Sequence, residues 1–264
     1  MKKDRAPLFN WPLKGKVWID PQFELKHERR FKELNRGSYP TNCIICYQDY
    51  FIKAAIDKYQ ARFVEKILGR SLYEFKYNNQ RMGIIQSTVG APVVALCIER
   101  LIAMGIKRFL NIGIAGALTD QGINPGDLVL CTKALRNEGT SYHYQKPARY
   151  ALPDRGLTAR AEAALKASGI DYKKGPTITL DVPYRFPVSK ARELRREGVV
   201  TSDMEAAAVF AISKFRKVKS AAIFTISDLA TNDFKWVPKF HAQELRQGME
   251  NLFKICVNVM GSMR

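Results

Sequence analysis

The sequence predicts an α/β fold, on three observations. From Ser38 onward, short apolar β-rich runs alternate with longer amphipathic segments. Glycine and proline punctuate the junctions between them. The strongest strand candidates are apolar almost throughout, as in a sheet covered on both faces.

In chain order, "TNCIICYQ" reads as a buried strand and "DYFIKAAIDKYQARFVEKI" as the helix after it, with Asp49 placed to cap its start. "RMGIIQSTVG" is a second strand ending in a glycine turn. "APVVALCIERLIAMG" follows as a helix, with Pro92 in its first turn and Gly105 just past its end. "KRFLNIGIAGAL" is a strand carrying Gly113 and Gly116, and "NPGDLVLCTKAL" is another after a Pro-Gly turn. "GLTARAEAALKASG" is a helix closed by Gly169, and "VKSAAIFTISD" is a strand whose polar tip is Ser227 and Asp228. "VPKFHAQELRQGMENLFKICVNVM" reads as a C-terminal helix. Residues 1–37 are charge-rich and read as an irregular arm or lead. Residues 38–264 read as one domain, with no internal repeat.

Composition narrows the function classes. At 264 residues and 46% hydrophobic, the chain can bury a sizeable core. No apolar run approaches the roughly 20 residues of a membrane span, and the N-terminus lacks the apolar core of a secretion signal, so a soluble, cytoplasmic protein is expected. Five scattered cysteines fit a reducing compartment. Cys43 and Cys46 form a C-x-x-C inside "NCIIC" with no second ligand pair nearby, and read as buried strand residues rather than a metal site. Nothing suggests a metal or an organic cofactor. The formal charge of +18 attracts polyanions. Its basic residues are mixed with Glu and lack interleaved aromatics, which weighs against nucleic acid and leaves a phosphorylated small molecule worth trying.

Ligands of open α/β sheets bind beyond the C-terminal strand ends, which here carry Asp49, Thr88, Gly90, Asn111, Gly113, Glu138, Thr140 and Asp228. The stretch "TSDMEAAAVF" adds Asp203 and Glu205 at the start of an alanine-rich helix. Capping by Ser202 or Asp203 explains the first carboxylate and leaves the second unexplained.

"NIGIAGAL", "GDLVL", "RNEGTSYHY", "TSDMEAAAVF" and "FTISDLATND", in this order and spacing, resemble the nucleoside phosphorylase superfamily, which includes purine nucleoside phosphorylases, uridine phosphorylases and methylthioadenosine nucleosidases. The resemblance runs from about Asn42 to the C-terminus. It implies a single domain whose mixed central sheet curls into a distorted barrel, a homo-oligomer between dimer and hexamer, and cleavage of the bond between a ribose C1′ and a base nitrogen. By this likeness Glu205 holds the ribose hydroxyls, Met204 packs on the sugar and Asp228 protonates a purine-like base; Asp203, Thr88, Gly90, Asn111 and Gly113 join the substrate-binding candidates. A strand-tip carboxyl among apolar residues suits a proton donor, although Ser227 and Asp228 also suit a turn cap. His27 matches a histidine that reaches into a neighbouring subunit's site, or is a surface residue. His143 falls in a loop near the base. Tyr184 lies in the segment that offers the base an aromatic face, but Pro183 occupies the matching position.

The likeness fails at the phosphate subsite. Where the family has G-D-P-x-R, this chain has Gln48, Asp49, Tyr50, Phe51 and Ile52. Asn111 stands for an arginine, and Ile114 and Val93 stand where the family has hydroxyl residues. Lys53 or Arg81 would have to move in to replace the lost cations. The N-x-G-x-A-G pattern is similar to that of the nucleosidases, which use water in place of phosphate. Asp49 is then a candidate base, its alternative being the helix cap. A nucleoside or nucleotide with water as co-substrate is the leading expectation. Phosphate at a rebuilt site, or a non-enzymatic nucleoside sensor or scaffold, are the alternatives.

Overall fold

The computed structural model describes residues 13, 15, 17–27 and 39–263. Helix α1 (Pro21–His27) lies within the expected irregular lead and packs on a later helix through buried Leu25; the rest of residues 1–37 lies mostly outside the described residues. Strand β1 (Asn42–Cys46) and helix α2 (Asp49–Tyr59) follow. The expected long helix stops there because Gln60 takes a left-handed conformation (φ 56°), and the β-rich "RFVEKI" becomes strand β2 (Arg62–Ile67). It is the first strand of a meander with β3 (Arg70–Tyr77) and β4 (Gln80–Gln86). Both connections are two-residue turns with positive φ throughout, Leu68-Gly69 and Asn78-Asn79, the twist that suits tight hairpins.

Helix α3 (Ala91–Ala103), β5 (Arg108–Ala117), β6 (Leu128–Asn137), β7 (Tyr150–Ala151) and α4 (Arg155–Ala167) come next. Asp154 caps α4 by accepting from the Leu157 amide at 2.8 Å. Strand β8 (Tyr172–Leu180), helix α5 (Val188–Arg196) and β9 (Thr201–Asp203) precede α6 (Ala206–Phe215), β10 (Lys219–Ala230), β11 (Trp236–Pro238) and α7 (Gln243–Gly261). The C-terminal helix thus starts later than its sequence suggests, since Trp236–Pro238 pairs with β10 as a strand.

Among the described residues, eleven strands join one mixed sheet. Strands β10, β6, β8, β9 and β5 close into a five-stranded barrel, because β5 pairs with both β9 and β10. From β5 the sheet continues outward through β1, β4, β3 and β2. Side chains alternate between two apolar clusters. Cys43, Ile45, Phe109 and Phe224 face α3 and α6, whereas Ile44, Cys46, Ile112 and Ile223 face α2, α4 and α7. Cys43 and Cys46 are fully buried and all five cysteines are unpaired thiols. Among the described residues no helix is long and apolar enough to cross a membrane.

Strands β1, β4, β5 and β10 run parallel, so their C-terminal ends and the starts of α2 and α3 gather at one edge. Helix α7 fixes that arrangement by close backbone approach. A Cβ on Gly248 would lie 2.3 Å from both the Gly126 carbonyl oxygen and Thr225 Oγ1. Gly248→Ala is therefore expected to lower stability by roughly 1–3 kcal/mol, read as a lower urea midpoint; an unchanged midpoint would show that α7 does not seat on Gly126.

Candidate active site

Four strand ends build the site. At the end of β5, Gly116 is opposite Asp228 of β10 on one side and Ser202 of β9 on the other. A Cβ on Gly116 would lie 2.7 Å from Asp228 Oδ2 and 3.2 Å from Ser202 Oγ, so both side chains lean over one glycine notch. Two strand spacings, about 10 Å, separate their backbones, which is the scale of one small molecule. A register shift between Ile226 and Asp228 puts Asp228, rather than Ser227, opposite Gly116. Ser227 Oγ donates to Asp228 Oδ1 at 2.6 Å and Trp236 Nε1 donates to Oδ2 at 2.8 Å. Each carboxylate oxygen keeps a further lone pair for a ligand.

Three residues beyond Ser202, the Glu205 carboxylate is 5% exposed. It accepts from the Gly90 amide at 2.6 Å, at the start of α3. Gly90 has φ 112°, a conformation that favours glycine and turns this amide toward the carboxylate. Burial, reinforced by the neighbouring Asp203, raises the Glu205 pKa to about 8. Asp203, expected to bind substrate, is instead saturated by the fold. Its Oδ2 accepts from the amides of Glu205 and Ala206, and its Oδ1 accepts from the hydroxyls of Thr177 and Thr179. Met204 is half-buried between the two carboxylates in sequence.

The third group lies where β1 ends. Tyr47 packs over Gly113, 3.1 Å from where a Cβ would sit, and donates its hydroxyl to Asn111 Oδ1 at 2.6 Å. Burial, then the charge of Glu205, pushes the Tyr47 hydroxyl well above its ordinary pKa. Gln48 Oε1 is 3.5 Å from the same Gly113 position. Asp49 is not the helix cap: Gln48 is the capping residue, and the exposed Asp49 carboxylate accepts from Gln86 Nε2 at 2.6 Å.

The remaining candidates are more scattered. Thr88 is half-buried just before Gly90. His143 ends a 3₁₀ turn (Thr140–His143) packed on α3 and α6. Tyr184 is fully exposed on a second such turn, and His27 is exposed on α1 with Nδ1 at 2.9 Å from the Phe23 carbonyl oxygen. Neither Arg81 nor Lys53, the basic residues expected to move in, is at the site in this structure. Arg81 opens β4, at the opposite end from Gly90, and forks onto Glu74, while Lys53 points outward from α2. Sequence reading missed Tyr47, Gln48 and Trp236. The first two follow the apolar run of β1 and were legible as strand-tip residues; nothing local marks Trp236.

The profile of the phosphorylase superfamily matches residues 43–260. The chain belongs to that superfamily. It is 28% identical to guanosine phosphorylase of Halorubrum lacusprofundi over 150 residues (57% of this chain, 62% of that one), and 27% identical to uridine phosphorylase of Thermococcus kodakarensis over 173 residues (60% and 62%). The chain thus spans about three fifths of the length of these curated relatives. In fold, this superfamily member is similar to purine nucleoside phosphorylase from Toxoplasma gondii in complex with immucillin-H, with a TM-score of 0.77 at 17% identity over 95% of this chain and 98% of that one. It is similar to uridine phosphorylase from Vibrio fischeri at 0.75 and 18%, over 87% and 95%.

The raised pKa of Glu205 has a definite sign. Between the ordinary carboxylate range and about pH 8 the folded protein holds a proton that the unfolded chain releases, so this group makes folding less favourable as pH rises through that window. Glu205→Gln removes the effect, and its melting temperature is expected to gain on that of the wild type from pH 6 to pH 9. An ionised Glu205 is also the better acceptor for hydroxyls. If Glu205 holds substrate hydroxyls, as the sequence resemblance implies, wild-type kcat/KM should be half-maximal near pH 8 and level off about one pH unit above it, and a flat profile would contradict that role.

Proposed function

We propose that this chain cleaves the N-glycosidic bond of a purine-like nucleoside or nucleotide, with water as the acceptor. The observation that supports the reading is that two carboxylates from distant parts of the chain stand at neighbouring strand ends: Asp228 lies over Gly116, and Glu205, three residues beyond the Ser202 that pairs with Gly116, accepts from the Gly90 amide. Glu205 holds the ribose 2′- and 3′-hydroxyls, which replace lost solvation with two charge-assisted bonds. Asp228 supports the departing base by hydrogen bond or proton transfer. Positive charge develops on the sugar ring as the bond breaks, and the surrounding carboxylates favour it.

Electrostatics support water over phosphate. The hydrogen-bond partners of Asp49, Asp203, Glu205 and Asn111 are amides and hydroxyls, and three of these four residues are acidic. None of these partners is an arginine fork, so a phosphate placed among them would lack the charged donors it favours. The second reading, phosphorolysis, is favoured by the names of the relatives and by the helix starts at Asp49 and Ala91, whose amides suit an anion. His27 is assigned to the ribose 5′ end in the site of a second copy.

A panel of nucleosides and nucleotides, with and without phosphate and resolved by chromatography, tests the reading. Free ribose formed without phosphate is expected; ribose 1-phosphate formed only with it would establish the second reading. Glu205→Ala and Asp228→Ala should each reduce kcat/KM by about 100-fold or more, and full activity in either variant would remove that residue from the site.

A further inference from the structure

Two buried polar atoms beside Gly113 have no hydrogen-bond partner: Gln48 Oε1 and Asn111 Nδ2. Orphaned polar atoms at such depth are costly, and native proteins satisfy them with ordered water or ligand. These two are complementary, one an acceptor and one a donor. They also share a place. Asn111 and Gly113 are i and i+2 on β5 and so project to the same face, with their Cα atoms about 7 Å apart. Gln48 Oε1 reaches into the space that a Cβ on Gly113 would approach. Tyr47 bridges the group, its hydroxyl on Asn111 Oδ1 and its ring on Gly113.

We propose that Gln48 Oε1 and Asn111 Nδ2 hold the attacking water, a neutral amide pair standing where an anion would otherwise bind. The assignment rests on the hydrolytic reading above and adds to it the residues that select water. A water molecule has two hydrogens and two lone pairs. Gln48 accepts one hydrogen and Asn111 donates to one lone pair, leaving the second lone pair for C1′ and the second hydrogen for a general base, a role for which the sequence offers Asp49, next to Gln48 in the chain. In the reaction the water oxygen bonds to C1′ as the C1′–N bond breaks. The bonding pair goes to the base nitrogen, the water gives up one proton, and the base takes one up. No oxidant, metal or further reactant is required. Tyr47 is a positioning residue that fixes the Asn111 amide with its nitrogen turned to the water. Fixing the nucleophile in this way acts on the rate of attack and leaves the grip on the ribose to Glu205.

The test uses the intact protein and the nucleoside cleaved fastest in the panel, in phosphate-free buffer. Gln48→Leu and Asn111→Leu are expected to lower kcat at least ten-fold with KM unchanged within about two-fold, a split that general loss of structure would not give. Gln48 is half-buried at a helix start, so Gln48→Glu provides a variant that keeps size and fold. The introduced carboxylate should give kcat a new rise with pH across its own titration, which the wild type lacks. Phosphate-independent cleavage that survives both leucine substitutions, or a Gln48→Glu profile identical to wild type, overturns the water assignment alone. Cleavage that requires phosphate in the wild type, or no cleavage of any panel member, overturns the hydrolytic reading and this assignment with it.

Discussion

The candidate site depends on a carboxylate that is itself inaccessible to substrate. Asp203 ends β9, a strand of only three residues, and its two oxygens collect four donors: two threonine hydroxyls from β8 and the first two amides of the turn into α6. Burial raises its pKa, and the four bonds oppose that rise. These contacts join β8, β9 and α6 at one point. They close the barrel where β9 bridges β8 and β5, and they fix the backbone from which Glu205 reaches the Gly90 amide. The Thr179 hydroxyl also accepts from the Ala207 amide, which extends the lock one residue into the helix. Substituting Asp203 would therefore disturb activity and fold together, whereas Glu205 sits at the edge of the network with its Oε1 on the Gly90 amide.

Aiming of the second carboxylate has a different origin. Parallel pairing of β5 and β10 is regular from Arg108 and Lys219 up to Ala115 and Ile226, and then slips by one residue. Without the slip Ser227 would be opposite Gly116 and Asp228 would face away. With it, Asp228 lies over the notch while Ser227 turns its hydroxyl onto the same carboxylate. The bulge and the lack of a side chain at Gly116 are thus one device: the first delivers the carboxylate, and the second makes room for it.

Those details explain which parts were legible in the sequence. The α/β class, the strands carrying Asn111 and Asp228, and helices α3 and α4 follow from apolar runs and Gly/Pro punctuation, which are local signals. Strand β2 reads as the end of a helix because "ARFVEKI" continues an amphipathic pattern and only the left-handed turn at Gln60 separates the two, and β3 has no counterpart among the expected elements. Strand β9 is illegible for a stronger reason, being only three residues long. Capping separates Asp203 from Glu205 in the sequence, and the Glu205 and Ala206 amides do bind Asp203, but its two further donors, Thr177 and Thr179, lie more than twenty residues away. The register slip at Ser227 and the indole on Asp228 likewise exist only through pairing of β10 with β5 and β11.

Net charge gives a last case of the same distinction between the whole chain and the site. The formal charge of +18 suggests a ligand rich in phosphate, yet the groups around Glu205 are acidic or neutral. A share of the positive charge gathers elsewhere. Lys107, Arg108, Arg216, Lys217 and Lys219 line a groove of about 390 Å³ where β5 and β10 begin. That groove is about 26 Å of strand away from Gly116, counting eight residues from Arg108. Across that distance solvent and salt screen most of the field, since the screening length at physiological ionic strength is about 8 Å. The basic groove therefore exerts little pull on a ligand at the notch, where the carboxylates are met by backbone amides, hydroxyls and an indole.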